Sequence, residues 1–150
     1  MPGKPKVIVF ASGTATGGGS GFENLVEATK SGVLDAEIVA IVSSNEYGGV
    51  RERADRLNIP FIYFPGPYDA EHYSSVLQKT AIEKGELWVA LSGWLKKVSG
   101  LDPAKTFNIH PALLSQLGGR FGGPGMWGHH VHEAVKEAFD KGEIQESGIT

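Results

Sequence analysis

Cysteine is missing from this sequence of 150 residues. The absence excludes a disulfide framework and any chemistry that needs a thiolate. A long apolar run is missing as well, since no stretch approaches the ~20 residues that a membrane-spanning helix requires. The start, MPGKPK, has no apolar centre of the kind that a signal peptide carries. We therefore expect a cytoplasmic protein without a membrane partner.

An excess of positive charge is also missing, because the formal net charge is −3 and the pI is about 5.9. Nucleic-acid backbones select basic surfaces, so we expect no nucleic-acid partner. Hydrophobic residues make up 41% and charged residues 21% of the chain, which is typical of a globular domain. A chain of this length buries a sizeable core. The sequence therefore predicts one domain over residues 1–150.

Glycine, by contrast, is abundant at 21 residues, about twice its usual share. It is concentrated at 13–21 and 118–128, which indicates loops. Between the loops, short apolar runs alternate with helical patterns. Strands are predicted at Lys6–Ala11, Glu37–Ser43, Pro60–Phe64, Leu87–Leu91 and Lys105–Ile109. Helices are predicted at Phe22–Lys30, Gly49–Leu57, from an N-cap at Asp69 to about Lys84, and at Gly128–Asp140. This alternation predicts an α/β fold, a three-layer, open, mostly parallel sheet with helices on both faces.

The first glycine-rich turn, ASGTATGGGSG at 11–21, joins a buried strand to a helix start, which is a common place for an anion. A nucleotide P-loop fits the glycine spacing, but Gly19 stands where its lysine belongs. A dinucleotide fold would need a third glycine where Phe22 stands and an acidic residue after the second strand. A phosphomonoester site on the amides of Gly19, Ser20 and Gly21, or a flexible loop without a ligand, remains open.

The strongest catalytic candidates are Asn108 and His110, within FNIHPALL at 107–114. Alternation along the predicted strand places both on one side, with Ile109 packed the other way. An amide can donate to a developing oxyanion, and an imidazole can exchange a proton near neutral pH. The pair suits acyl transfer, although a structural, hydrogen-bonded histidine at a strand end is the alternative.

These residues carry a resemblance to a family. NIHPALL resembles the NIHPSLLP signature of the folate-dependent formyltransferases. LSGWLKKVS at 91–99 resembles the segment that this family places before the signature, and GHHVHEAV at 128–135 is similar to the segment after it. FASG and GSGFENL at 10–25, SSN at 43–45 and RERADRLNIP at 51–60 follow the family's order too. The match is collinear along the whole chain.

The resemblance implies transfer of a formyl group from 10-formyltetrahydrofolate, as co-substrate, to the amine of glycinamide ribonucleotide. It implies a phosphate role for Gly19, Ser20 and Gly21, and catalytic roles for Asn108 and His110. It implies substrate contacts at His130 and His132, small-molecule substrates, and a monomer or homodimer. The folate pocket that it implies consists of Leu91, Ser92, Gly93, Trp94, Leu95 and Val98. Core packing is the alternative for Trp94 and Leu95.

The sequence departs from the family pattern in one serious respect. The resemblance implies a catalytic aspartate just after a further strand, which here would begin at Ser147–Thr150, and no such aspartate is present. The domain is therefore expected to be the N-terminal part of a formyltransferase. Another folate-dependent formyltransferase and a non-catalytic phosphate-binding remnant remain alternatives. No metal is expected, because His129, His130 and His132 stand at i, i+1 and i+3 and do not converge on one helix face.

Overall fold

The computed structural model describes residues 3–150. Met1 and Pro2 lie outside the described residues. They belong to the segment MPGKPK, which the sequence analysis compared with a signal peptide. The chain divides into two compact units, Met1–Asn108 and Ile109–Thr150. Within residues 3–150, no helix combines the length and the apolar character that crossing a bilayer would need.

The first unit alternates strands and helices along its whole length. Its strands are β1 (Lys6–Phe10), β2 (Glu37–Ser43), β3 (Phe61–Tyr63), β4 (Leu87–Leu91) and β5 (Thr106–Asn108). Its helices are α1 (Ser20–Ser31), α2 (Gly49–Leu57) and α3 (Ala70–Gln78), with a short 3-10 helix at Lys84–Glu86. The five strands form one sheet in the order β3-β2-β1-β4-β5, and every neighbouring pair is parallel. The predicted α/β class is confirmed.

Both faces of the sheet are covered, because the central strands alternate their side chains between two cores. Val9 of β1 packs with Phe22 of α1 and Ala54 of α2 on one face. Phe10 packs with Tyr73 of α3 on the other face. The register between β1 and β2 shifts after Val7, an irregularity that breaks strict alternation in β2.

Helix α3 is shorter than the sequence predicts. Its N-cap is Asp69, as expected, and the Asp69 carboxylate accepts the backbone N–H of His72 at 2.9 Å. The helix ends at Gln78 instead of near Lys84. The Thr80 hydroxyl donates to the Leu77 carbonyl at 2.8 Å, and Ala81 follows in the left-handed region at φ 58°. An α-helix cannot continue through that conformation.

The second unit contains one α-helix, α4 (His129–Asp140), and an irregular turn at Gln116–Gly119, where Leu117 and Gly118 adopt left-handed φ values of 48° and 66°. Its core consists of the buried side chains of Ala112, Phe121, Val131, Ala138 and Ile144. The sequence predicts the beginning of a further strand at residues 147–150, but these residues do not form a regular strand. Thr150 nevertheless pairs with His110 through two backbone hydrogen bonds, of 2.8 and 3.0 Å.

An aromatic cluster lies under the carboxyl edge of β1 and β4 in the first unit. The Tyr73 and Trp94 rings pack with those of Phe10, Phe64 and Tyr68. The Tyr73 hydroxyl accepts the Trp94 Nε1–H at 2.8 Å and donates to the Lys97 carbonyl at 2.5 Å. Burial raises the pKa of Tyr73, so this hydroxyl stays protonated and can donate.

We predict that Tyr73→Phe lowers the free energy of unfolding by about 1–3 kcal/mol, because it leaves the Trp94 N–H buried without an acceptor. Urea unfolding followed by tryptophan fluorescence measures the change. Tyr47→Phe is the matched control, since Tyr47 is 72% exposed. Equal stability of the two variants would contradict this role for the Tyr73 hydroxyl.

Candidate functional site

The candidate site of the first unit lies at the carboxyl ends of β1 and β4. The strand order reverses between these two strands, and open α/β sheets bind ligands at such a point. The loops that leave the two strands are joined there. The Ser12 N–H donates to the Gly93 carbonyl at 3.0 Å, and the Leu95 N–H donates to the Ser12 hydroxyl at 2.9 Å.

The glycine-rich turn after β1 ends at an uncapped helix start. Gly13, Gly18 and Gly19 adopt positive φ values of 67°, 91° and 86°, which glycine reaches without strain. Gly19 is the N-cap of α1, and among the described residues no side chain caps it. The first-turn N–H groups are consequently available to an external acceptor, at the positive end of the helix dipole. The predicted phosphate residues Gly19, Ser20 and Gly21 occupy this position, with Ser20 exposed.

Arg53 of α2 holds the turn from the side. Its Nε donates to the Gly18 carbonyl at 3.0 Å, and its Nη1 contacts Glu23 in the first turn of α1. Arg56 also pairs with Glu23 at 2.7 Å. Two cations therefore offset the one carboxylate that would repel an anion at this helix start. The sequence analysis missed Arg53, and only its place in the RERADRLNIP segment of the resemblance could have drawn attention to it.

A polar network that includes the buried Ser12 and Ser43 anchors the other end of the turn. The Ser43 hydroxyl at the end of β2 donates to the Ser12 carbonyl at 2.9 Å. The Asn45 side-chain amide donates to the carbonyls of Ser12 and Gly13, at 2.8 and 3.2 Å. The SSN segment at 43–45 thus fixes the backbone that follows β1. The resemblance to the family implied no role for this segment.

The middle of the glycine turn, residues 14–17, packs directly on the start of α2. A Cβ on Gly48 would lie 2.2 Å from the Thr14 carbonyl oxygen, and a Cβ on Gly49 would lie 2.4 Å from the Gly17 carbonyl carbon. Only glycine permits so close an approach of two backbones. The turn is therefore held in one place by packing.

The predicted folate residues divide into two groups. Trp94 is 8% exposed and lies in the aromatic cluster, so packing occupies its indole and only its backbone is available to a ligand. Leu95 and Val98 are exposed, at 51% and 38%. Gly93 is exposed as well, while Leu91 and Ser92 are half-buried. Ser92 lies close to Gly21, because a Cβ on Gly21 would be only 2.2 Å from the Ser92 hydroxyl oxygen.

Asn108 is the last residue of β5 and is exposed. In the sheet register it stands beside Leu91, which in turn stands beside Phe10 of β1. The structure therefore brings Asn108 to the same edge as the exits of β1 and β4. The strand ends here, so the predicted alternation does not extend to His110. Ile109 is 72% exposed and does not pack as expected, because it lies beyond the strand.

His110 lies in the second unit, where backbone groups hold its ring and main chain. Its Nε2 donates to the Phe121 carbonyl, because a carbonyl can only accept, so Nδ1 is the nitrogen that carries the lone pair in the neutral ring. Phe121 itself is fully buried in the core. The Thr150 hydroxyl donates to the Ala112 carbonyl at 2.8 Å and accepts the Leu114 N–H at 3.1 Å. These contacts fix the turn formed by the NIHP segment. No pattern in the sequence predicted that Phe121 would contact His110.

The two other predicted histidines lie on α4 of the second unit. His130 is half-buried and His132 is exposed. The Trp127 ring packs edge-on against His130, with 5.0 Å between ring centroids.

We predict that Gly49→Ala lowers the free energy of unfolding by about 1–3 kcal/mol through overpacking against Gly17. Elsewhere in a helix, a change from glycine to alanine normally raises the free energy of unfolding by up to about 1 kcal/mol. A decrease would therefore show that the backbones at Gly49 and Gly17 are in close contact. Urea unfolding measures it, and the stabilisation by added inorganic phosphate should fall at the same time.

Gly85→Ala is the control for this substitution. A Cβ on Gly85 would meet nothing within 4 Å, and its φ is not positive. We expect its free energy of unfolding to stay unchanged or to rise. If Gly49→Ala behaved like Gly85→Ala, the turn would not be packed on α2.

Comparison with known proteins agrees with the α/β fold described above. The sequence profile described as "Formyl transferase" matches residues 5–150. Among solved structures, the glycinamide ribonucleotide transformylase 1 of Geobacillus kaustophilus superposes with a TM-score of 0.69 and 29% identity. That superposition covers 98% of this chain and 72% of the other.

Curated relatives give the same result at the sequence level. The chloroplastic phosphoribosylglycinamide formyltransferase of Arabidopsis thaliana is 34% identical over 91% of this chain and 47% of its own length. The phosphoribosylglycinamide formyltransferase of Bacillus subtilis (strain 168) is 31% identical over 97% of this chain and 69% of its own length. The chain thus spans about half the length of the plant relative. It belongs to the formyl transferase family.

Proposed function

We propose that this chain transfers a formyl group from 10-formyltetrahydrofolate to the amine of glycinamide ribonucleotide. Family membership and the names of the relatives support a formyl transfer in purine biosynthesis. The observation that carries the choice of acceptor is the uncapped start of α1 behind the glycine turn. An acceptor with a terminal phosphate suits that feature.

The phosphate would accept hydrogen bonds from the amides of Gly19, Ser20 and Gly21 and from the Ser20 hydroxyl. Arg53 is a positioning residue in this proposal. The peptide unit is planar and trans, so holding the Gly18 carbonyl also sets the direction of the Gly19 N–H. Preformed donors of this kind need no reorganisation when an anion binds.

The pteridine of the folate would lie against the segment after β4. Leu95 and Val98 are the exposed apolar side chains there, and Gly93 leaves its backbone accessible. Flat, mostly apolar ligands are commonly held by apolar walls with a few backbone polar groups. Leu91, Ser92 and Trp94 would complete the wall, Trp94 through its backbone only.

In the transfer step, the substrate amine attacks the formyl carbon and forms a new C–N bond. Asn108 would donate to the oxyanion that develops on the formyl oxygen. The bond from the formyl carbon to N10 then breaks, and one proton moves from the attacking amine to N10. His110 would relay that proton through Nδ1, because Nε2 is occupied by the Phe121 carbonyl. His130 and His132 remain proposed substrate contacts.

Several further expectations stay with this proposal. The substrates are small molecules, the reaction uses no metal, and the chain works in the cytoplasm as a monomer or homodimer. The 150 residues act as one N-terminal formyltransferase domain. Other folate-dependent formyl transfer and phosphate binding without chemistry are the two alternatives that the test must distinguish.

We predict that His110→Ala lowers formyl transfer by about 10²–10⁴-fold, the usual contribution of a general acid–base. Release of tetrahydrofolate from 10-formyltetrahydrofolate, with glycinamide ribonucleotide present, measures the rate. The thermal stabilisation by glycinamide ribonucleotide should be nearly unchanged, since the phosphate residues belong to another segment. His72→Ala is the matched control, because His72 is an exposed histidine of α3.

Three results would count against parts of the proposal. Loss of both transfer and substrate stabilisation in His110→Ala would make His110 structural. Stabilisation by the ribonucleotide without any turnover in the parent chain would favour a binding module. Turnover of the folate with a different formyl acceptor, and none with glycinamide ribonucleotide, would favour another member of the family.

A further inference from the structure

The first turns of α4 gather three metal-ligating side chains. One ligand atom from each of His129, His130 and Glu133 lies within 4.8 Å of the other two. The His129 Nε2 is 3.8 Å from the Glu133 carboxylate, and the two imidazole rings are 4.1 Å apart between centroids. The proposed transfer assigns no role to His129 or Glu133, and His130 is the one residue that this cluster shares with the proposed substrate contacts.

The helix explains why these three side chains meet. His129 and Glu133 stand at i and i+4, and therefore occupy one face. His130 is the next residue, and its ring is tilted by 37° to that of His129. The Trp127 ring packs edge-on against His130 and restricts its orientation. The sequence analysis considered His132 as the third member, but the structure brings Glu133 to the histidines instead.

The donor set selects a class of cation. Two imidazole nitrogens and one carboxylate oxygen suit Zn²⁺ and its first-row neighbours, whereas Mg²⁺ and Ca²⁺ prefer oxygen alone. Tetrahedral ligands about 2.0–2.1 Å from zinc stand roughly 3.3 Å from one another. His129 and Glu133 are both 70% exposed, so their rotamers can close the remaining distance at small cost.

We propose that His129, His130 and Glu133 bind one divalent transition-metal ion, with water at the remaining position. The ion would cross-link the first two turns of α4 and stabilise the helix. A cation at a helix start opposes the helix dipole. The Glu133 carboxylate offsets that charge, so the site depends on Glu133 as strongly as on the histidines.

The test uses the full chain, with Co²⁺ as a spectroscopic probe and Zn²⁺ in calorimetric titration. We expect one saturable site, visible Co²⁺ absorption bands of a tetrahedral complex, and a higher melting temperature with Zn²⁺. His129→Ala and Glu133→Gln should each weaken binding at least tenfold. Both positions are exposed, and the far-ultraviolet circular dichroism of the variants without metal should match the parent chain.

His132→Ala is the matched control, because it removes an exposed histidine of the same helix from outside the cluster. We expect it to bind within twofold of the parent chain. Weakening as large as that of His129→Ala would show diffuse histidine binding and overturn the proposal. Unchanged affinity in Glu133→Gln, or no saturable binding by the parent chain, would overturn it as well.

Discussion

Much of the candidate site depends on the close approach of two backbones, that of the glycine turn and that of the start of α2. The turn is longer than one helix start needs, and an unrestrained loop of this composition would be flexible. Contact with Gly48 and Gly49 removes that freedom, and Arg53 fastens the Gly18 carbonyl. Glycine therefore serves two purposes here. It supplies positive φ values within the turn, and it removes the side chains that would separate the two segments.

The aromatic cluster performs a similar task on the other side of the same crevice. Trp94 enters the core, where its Nε1–H donates to the Tyr73 hydroxyl, and this contact anchors the segment after β4. Ser12 then links that segment to the exit of β1. The residues around a buried anchor of this kind can remain exposed, as Leu95 is. Rigidity at the crevice thus comes from core packing, and the exposed groups are left for a ligand.

The sequence predicted what depends on local pattern. Helix α2 matches its predicted bounds, the Asp69 N-cap is present, and β2 and β4 begin and end where the apolar runs do. The predictions from the sequence were wrong where a tertiary contact or a single unusual backbone angle determines the local structure. The end of α3 depends on the left-handed Ala81, and the exposure of Ile109 depends on where β5 loses its partner. The Phe121 carbonyl that holds His110 is a backbone atom within a glycine-rich segment, and no side-chain pattern reveals it.

That carbonyl also takes over part of what a carboxylate can do beside a histidine. A carboxylate beside a catalytic histidine fixes the tautomer, orients the ring and stabilises the imidazolium. The Phe121 carbonyl can fix the tautomer and orient the ring, since it accepts the Nε2–H from a buried position. It has no net charge, however, and stabilises an imidazolium less. The shuttle that we propose for His110 requires a fixed tautomer and a fixed ring orientation, which the contact with the Phe121 carbonyl supplies.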